Sequence, residues 1–307
     1  MKPAVKRFLT VGGLIILVPA AIALASCRAN DQAPGKLTVM TSIFPMYDMA
    51  RAVGGADVDL TLLTPPGTEA HTFEPTPADI VRLEKADVFI YNGADMEPWV
   101  QGILEGLRNP DLLVVDTSDG ITLIAEKGEE GGWDPHIWLD VDNAKKQVDA
   151  IAAAFESKDA AHAAEYRGRA EGYRQALDEV DTLYREGLGR CGTNMIVSSG
   201  HFAFGYLAAR YGLTYTSVYG LSPDAGPTPR RITEIIDLVK SEKIRYLFAE
   251  EMLDPRLTES VREETGAEIL YVSSGHEVSR DQFERGVTLV DIMKENLEEF
   301  KRGLSCR

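Results

Sequence analysis

Short apolar stretches alternate with amphipathic stretches along almost the whole chain. The apolar runs have strand length, the segments between them have helix length, and the same order resumes after residue 191. This alternation is typical of parallel sheets covered by helices, so the sequence predicts an α/β protein. The predicted strands are Leu37–Thr41, Val58–Leu63, Val88–Tyr91, Leu112–Val115, Met195–Ser198, Thr214–Val218, Tyr246–Phe248 and Ile269–Val272.

Helices are predicted between these strands, where apolar residues recur every three or four positions. Two of them begin with the same capped start, Pro-Thr-Pro, once around Thr76 and again around Thr228. Because this start occurs in both halves, the sequence favours two similar lobes over one large sheet. The predicted helices are Met46–Val53, Pro77–Lys85, Pro98–Leu107, Val141–Phe155, Glu165–Leu188, Phe202–Tyr211, Pro229–Ser241, Arg256–Thr265 and Thr288–Arg302.

The longest predicted helix lies between the two halves. Its apolar and aromatic residues recur at spacings of three and four from Tyr166 to Tyr184, which gives one continuous seam. At 1.5 Å per residue, a helix of this length would extend ~36 Å. We therefore predict an N-terminal lobe over residues 36–160, a single rigid linking helix over residues 161–190, and a C-terminal lobe over residues 191–307.

The N-terminus has the pattern of an export signal. A basic start is followed by a mostly apolar stretch from Phe8 to Ala25 and then by a Leu-Ala-Ser-Cys sequence that ends at Cys27. These four residues resemble a bacterial lipobox, whose cysteine is acylated after cleavage. We predict a lipoprotein signal over residues 1–27 and a polar tether over residues 28–35. The alternative is an uncleaved transmembrane anchor, since the apolar run approaches the ~20 residues that span a bilayer.

Composition and charge narrow the range of functions. The chain has 307 residues, and its formal net charge is −16. Loss of residues 1–27 would remove three basic and no acidic residues, which takes the net charge to −19. A charge of this sign argues against binding to nucleic acid, because phosphates must be neutralised by cations.

Two cysteines remain after the signal, Cys191 and Cys306. Outside the cytoplasm an even pair predicts a disulfide, which would tie the C-terminal tail to the start of the second lobe. The alternative is two unrelated thiols.

Four of the five histidines follow predicted strands. His71 and His136 lie on such connections in the first half, and His201 and His276 lie on them in the second half. The fifth, His162, belongs to a polar helical surface. Ligands of α/β proteins bind at the carboxyl ends of strands, so the four loop histidines are expected around one cleft.

Four imidazole nitrogens are a ligand set that suits zinc. Zinc sites are tetrahedral with Zn–N distances of ~2.0–2.1 Å, whereas manganese and calcium prefer more carboxylate oxygen. Asp134 or Asp140 is expected to orient a ligand ring, although Asp140 is equally suited to capping a helix.

Four segments, considered together, are specific enough to indicate a family. They are Gly67–Ile80, Tyr91–Gly93 together with Glu97–Trp99, Asp134–Asp140 and His201–Tyr206. They resemble the zinc/manganese solute-binding lipoproteins of bacterial ABC transporters. The resemblance implies two α/β lobes joined by one rigid helix with the metal between them, and it puts His71, His136 and His201 at the first three ligand positions.

The fourth ligand position departs from part of that family. Manganese-type members carry an aspartate where this chain has Ser273, and His276 lies three residues further on. We predict His276 as the fourth ligand and zinc as the metal. If His276 is not a ligand, a water or a carboxylate would complete the sphere; the candidate carboxylates are Glu69, Glu251 and Glu277.

The sequence therefore predicts a high-affinity receptor that binds extracytoplasmic Zn²⁺ and delivers it to an ABC permease. We expect a monomer that is not an enzyme and is anchored to the cell membrane by a lipid on Cys27. One alternative is a receptor for manganese or another divalent metal. A zinc-dependent hydrolase is less well supported, because no acid is placed as a general base. An adhesin is a third alternative for which no residue argues.

Overall fold

Two parallel sheets with helices around them form the body of the protein. The computed structural model describes residues 35–125, 132–221, 226–250 and 255–307. The predicted α/β fold with two lobes and one long helix is confirmed. The predicted signal and Cys27 lie outside the described residues. The boundaries predicted for the lobes stay predictions, because Lys36–Arg307 pack as one compact unit.

The first sheet precedes the long helix, and its central strands are apolar and buried. No helix in the described part of the chain combines the length and apolar content needed to span a bilayer. In chain order the elements of this half are β1 (Leu37–Thr41), α1 (Phe44–Gly54), β2 (Val58–Leu62), α2 (Pro77–Leu83), β3 (Val88–Tyr91), α3 (Val100–Gly106), β4 (Leu113–Asp116) and α4 (Val141–Lys158).

The long helix, α5, extends over Ala163–Leu188. Its buried residues are the six that form the predicted seam. Tyr173 Oη donates to Asp48 Oδ2 in the first half at 2.8 Å, and Tyr184 Oη donates to the carbonyl of Met293 in the second half at 2.8 Å. The apolar stripe and these two buried hydroxyls thus join α5 to both halves.

The second half repeats the arrangement of the first. Strand order is β2-β1-β3-β4 in the first sheet and β6-β5-β7-β8 in the second, and all pairs are parallel. The elements of the second half are β5 (Met195–Ser198), α6 (Gly205–Tyr211), β6 (Thr214–Ser217), α7 (Pro229–Ser241), β7 (Tyr246–Ala249), α8 (Pro255–Thr265), β8 (Glu268–Tyr271), α9 (Arg280–Glu284) and α10 (Leu289–Gly303).

One helix boundary and one additional helix differ from the sequence prediction in places that affect the site. Helix α6 begins at Gly205 and not at Phe202, because the Phe202 amide donates to the carbonyl of Gly220 at 2.7 Å and so lies outside the helix. Helix α9 was not predicted. It has five residues, too few for a periodic pattern, and a capping box between Ser279 and Gln282 defines its start.

Buried polar contacts hold the two halves together. Asp48 of α1 is 1% exposed, and its Oδ2 also accepts from the amide of Leu289, the first residue of α10, at 2.9 Å. Arg51 donates to the carbonyl of Val287 at 3.0 Å. A carboxylate at a helix N-terminus is stabilised by the helix dipole, so this contact fixes α10 against the first half.

The C-terminal tail is fixed by a covalent bond. Cys191 and Cys306 form a disulfide that closes a loop across a sequence separation of 115. The Gly192 amide, next to the bridge, donates to the carbonyl of Leu304 at 3.0 Å. The end of α10 is therefore held beside the start of the second sheet.

Reduction of this disulfide should lower the free energy of unfolding by about 3–5 kcal/mol, because a long loop in the unfolded chain is no longer closed. The measurement is chemical denaturation with and without reductant. A Cys191→Ser/Cys306→Ser variant should match the reduced protein and should not respond to reductant. Equal stability of reduced and oxidised protein would contradict the prediction.

Candidate metal centre

The structure brings the four predicted histidines together in one cluster. The six distances between their ring centroids lie between 4.9 and 5.6 Å. Four points with six nearly equal separations form a tetrahedron. One ring nitrogen from each of His71, His136, His201 and His276 lies within 4.8 Å of the other three. His162 is not in this cluster; its Nδ1 lies 2.6 Å from Asp159 Oδ2, and its side chain is 33% exposed.

His71 reaches the cluster from the loop between β2 and α2. Its amide donates to Glu69 Oε1 at 2.9 Å. The end of the loop is fixed by the capping box of α2, in which Thr76 and Asp79 exchange hydrogen bonds. Gly67 at the start of the loop donates to the carbonyl of Val278 at 2.8 Å, so the loop is tied to the second half.

His136 is fully buried on the connection between β4 and α4. Asp134 Oδ1 accepts from its Nδ1 at 2.8 Å and from its amide at 3.0 Å. Asp140 instead caps α4, accepting from the amides of Asp142 and Asn143. Because an ionised carboxylate only accepts, Asp134 keeps the proton of His136 on Nδ1 and turns the lone pair of Nε2 toward the cluster.

A single carboxylate, Glu250, supports both ligands from the second half. Glu250 Oε1 accepts from His201 Nδ1 at 2.8 Å, and its Oε2 accepts from Ser274 Oγ at 3.2 Å. Ser274 Oγ in turn lies 2.8 Å from Nδ1 of His276. Trp138 donates to the Ser274 carbonyl at 2.8 Å, so the His276 loop is also held from the first half.

Burial and mutual repulsion keep most of the cluster neutral. Burial, reinforced by the charges of the neighbouring histidines, lowers the pKa of His136 and of His276 well below the usual value. The same causes lower the pKa of His71 to about 4. Burial also lowers the pKa of His201, but the Glu250 carboxylate outweighs it, so that pKa lies above its usual value. Neutral imidazole is the form that binds a metal.

The closest contact in the cluster indicates what it can hold. Nε2 of His136 and Nε2 of His201 are 3.0 Å apart, and both Nδ1 atoms face carboxylates. Two lone pairs at this distance repel each other unless a proton or a cation lies between them. Ligand nitrogens of a tetrahedral zinc ion are separated by roughly 3.3 Å, so the residues present fit that ion.

Residues 39–303 match the protein family described as "Zinc-uptake complex component A periplasmic". The chain belongs to this family. The match covers both sheets and all four clustered histidines.

Several relatives of the chain carry names that specify zinc. The high-affinity zinc uptake system protein ZnuA of Bacillus subtilis is 29% identical over 310 residues, which cover 95% of this chain and 97% of ZnuA. The zinc-binding lipoprotein AdcA of Streptococcus pneumoniae is 29% identical over 301 residues; these cover 94% of this chain but 60% of AdcA. The Zn(II)-bound ZnuA-like domain of Streptococcus pneumoniae AdcA has a TM-score of 0.77 at 30% identity, with 88% of this chain and 99% of that domain covered.

Sequence reasoning missed two residues that support the clustered histidines, Glu250 and Ser274. Glu250 directly follows β7 and Ser274 comes shortly after β8, and a polar residue at the carboxyl end of a parallel strand is a signal that could have identified both. The carboxylate considered instead, Glu251, lies outside the described residues.

Glu250→Gln should lower the affinity for Zn²⁺ by about 10–100-fold, because one carboxylate orients two of the four rings. The measurement is competition for Zn²⁺ against a chromophoric chelator. Glu242→Gln, which removes the same charge from an exposed position at the end of α7, is the matched control. Equal zinc affinity in the two variants would show that Glu250 does not support the ligands.

Proposed function

We propose that this protein captures Zn²⁺ with His71, His136, His201 and His276 and delivers it to the membrane permease of an ABC transporter. The observation that carries the proposal is the tetrahedral convergence of four imidazoles from both halves of the chain. Membership in the zinc-uptake family supports the same function. In this function zinc is the transported substrate and not a resident cofactor.

The donor set supports zinc over manganese. Four neutral nitrogens suit a borderline-soft ion with tetrahedral preference, whereas Mn²⁺ is better served by carboxylate and water oxygens. The names of the relatives ZnuA and AdcA, which specify zinc, support the same choice.

A receptor is better supported than a hydrolase. Catalytic zinc keeps one coordination position open for water, and four protein ligands would close it. The buried contacts between the halves and the continuous helix α5 support small tilts and loop movements during uptake and release, in place of wide hinge closure. Such movements would shift individual ligand side chains and would leave the two halves close together.

The proposed function also bears on the location of the protein in the cell and on its oligomeric state. The family description is periplasmic, which agrees with an exported protein. We propose that Cys27 carries a lipid that anchors the chain to the cell membrane and that the receptor acts as a monomer. The described residues offer no observation that favours an adhesin.

The soluble chain from Arg28 onward should bind one Zn²⁺ tightly and should retain zinc in equal competition with Mn²⁺, because its four proposed ligand atoms are nitrogens. Metal analysis after dialysis against both ions provides the measurement. Preferential retention of manganese would reject the zinc assignment.

Alanine substitution of any of the four histidines should weaken zinc binding by more than the roughly 10–100-fold typical of losing a ligand's supporting hydrogen bond. The variants are His71→Ala, His136→Ala, His201→Ala and His276→Ala, each titrated against a competing chelator. His162→Ala is the control and should behave as wild type. If His276→Ala also binds zinc as wild type does, the four-histidine assignment is wrong.

A further inference from the structure

A second group of metal-ligand atoms adjoins the four-histidine cluster. Nε2 of His276 lies 3.8 Å from Glu69 Oε1 and 3.8 Å from Glu277 Oε1. One ligand atom from each of these three residues lies within 4.8 Å of the other two. Ligand atoms around a tetrahedral ion are separated by roughly 3.3 Å, so each of the two carboxylate oxygens is only about half an ångström too far from His276 Nε2 for a shared cation.

His276 belongs to both groups and is oriented for metal binding. The residue is 3% exposed, and its Nδ1 is held by Ser274 Oγ. Among the described residues, Nε2 of His276 has no hydrogen-bond partner. An unpaired nitrogen buried beside two carboxylates is a costly arrangement unless a cation binds there.

The two carboxylates lie closer to solvent than the imidazole. The side chain of Glu69 is 22% exposed and that of Glu277 is 10% exposed, against 2% for His276. An oxygen of Glu69 lies within 4.8 Å of an oxygen of Glu277. Two carboxylates this close repel each other, and a divalent cation between them relieves the repulsion.

An acidic cavity of about 530 Å³ extends along β8 and α10 and reaches Glu277. It borders exposed Tyr271 at the surface and Ser274 beside the ligands. A cavity lined by charge of one sign concentrates counter-ions, so this one attracts cations. Its charged lining residues among those described are Glu250, Glu277, Glu295, Glu298, Glu299 and Arg302.

We propose that Glu69, Glu277 and His276 form an outer divalent-cation site that receives Zn²⁺ from the acidic cavity before the four-histidine site does. This proposal rests on the proposed function, because the outer site passes its ion to the four-histidine site, which is called the inner site below. His276 Nε2 can bind only one ion at a time, so the ion is handed inward and the two sites are not filled together. One zinc per chain is therefore expected at equilibrium.

The ligand types set the direction of transfer. The outer site offers two oxygens and one nitrogen and leaves coordination positions for water, which favours fast exchange. The inner, four-histidine site offers four nitrogens to a borderline-soft ion and leaves no coordination position for water. Zinc is therefore bound more tightly once it has moved from the outer site to the four-histidine site.

The kinetic test uses the full chain in detergent and Zn²⁺ alone, mixed by stopped flow and followed by tryptophan fluorescence, since Trp138 is 5.4 Å from the His136 ring. Glu277→Gln and Glu69→Gln/Glu277→Gln should slow zinc association by about tenfold or more. The equilibrium affinity of Glu277→Gln should change much less than its association rate. Glu74→Gln, which removes the same charge from an exposed position on the His71 loop, should associate as wild type. Wild-type association rates in the double variant would overturn the proposal.

A second test isolates the outer site at equilibrium. His136→Ala/His201→Ala removes two inner ligands and keeps the three outer ones, so weak 1:1 binding of Zn²⁺ should remain. Addition of Glu277→Gln should abolish this binding, whereas addition of Glu74→Gln should not. If Glu277→Gln leaves the residual binding intact, no outer site exists. Failure of wild type itself to bind zinc tightly would instead reject the four-histidine proposal, so the two failures are distinguishable.

Discussion

The site depends on one geometric constraint, which is that four imidazoles on four separate loops must meet within a few ångströms. Two of these loops belong to each half of the chain, so a small change in the angle between the halves would open the tetrahedron. The apolar seam of α5 and the buried carboxylate of Asp48 oppose such a change, because both contact the two halves directly. The contacts that stabilise the packing of the two halves therefore also hold the four imidazoles in place.

Each ring is held by its own local support, and the supports differ between the halves. Asp134 orients His136 alone, whereas Glu250 orients His201 directly and His276 through Ser274. The two ligands from the second half are thus coupled through one carboxylate. Any movement of the connection after β7 would shift both together, which suggests how a small displacement could weaken half of the coordination sphere at once.

Carboxylates lie next to the four-histidine cluster. Glutamates line the cavity along α10 as far as Glu277, and the oxygens of Glu277 and Glu69 lie beside His276. In this arrangement, the atoms that attract cations from a distance differ from the atoms that select among them. Oxygens attract any divalent cation, and the buried nitrogens then favour zinc.

The sequence by itself determined the sheets, the long helix and the positions of the four histidines along the chain. Those features are local, since apolar periodicity, capping residues and loop positions can be read within a few residues. Only the tertiary structure decided which atoms support and neighbour the ligands. Glu250 meets His201 across 49 positions and Trp138 meets Ser274 across 136, and Glu69 meets His276 only after both halves have packed. Side-chain contacts between distant segments depend on how the loops pack, and no local pattern specifies that packing.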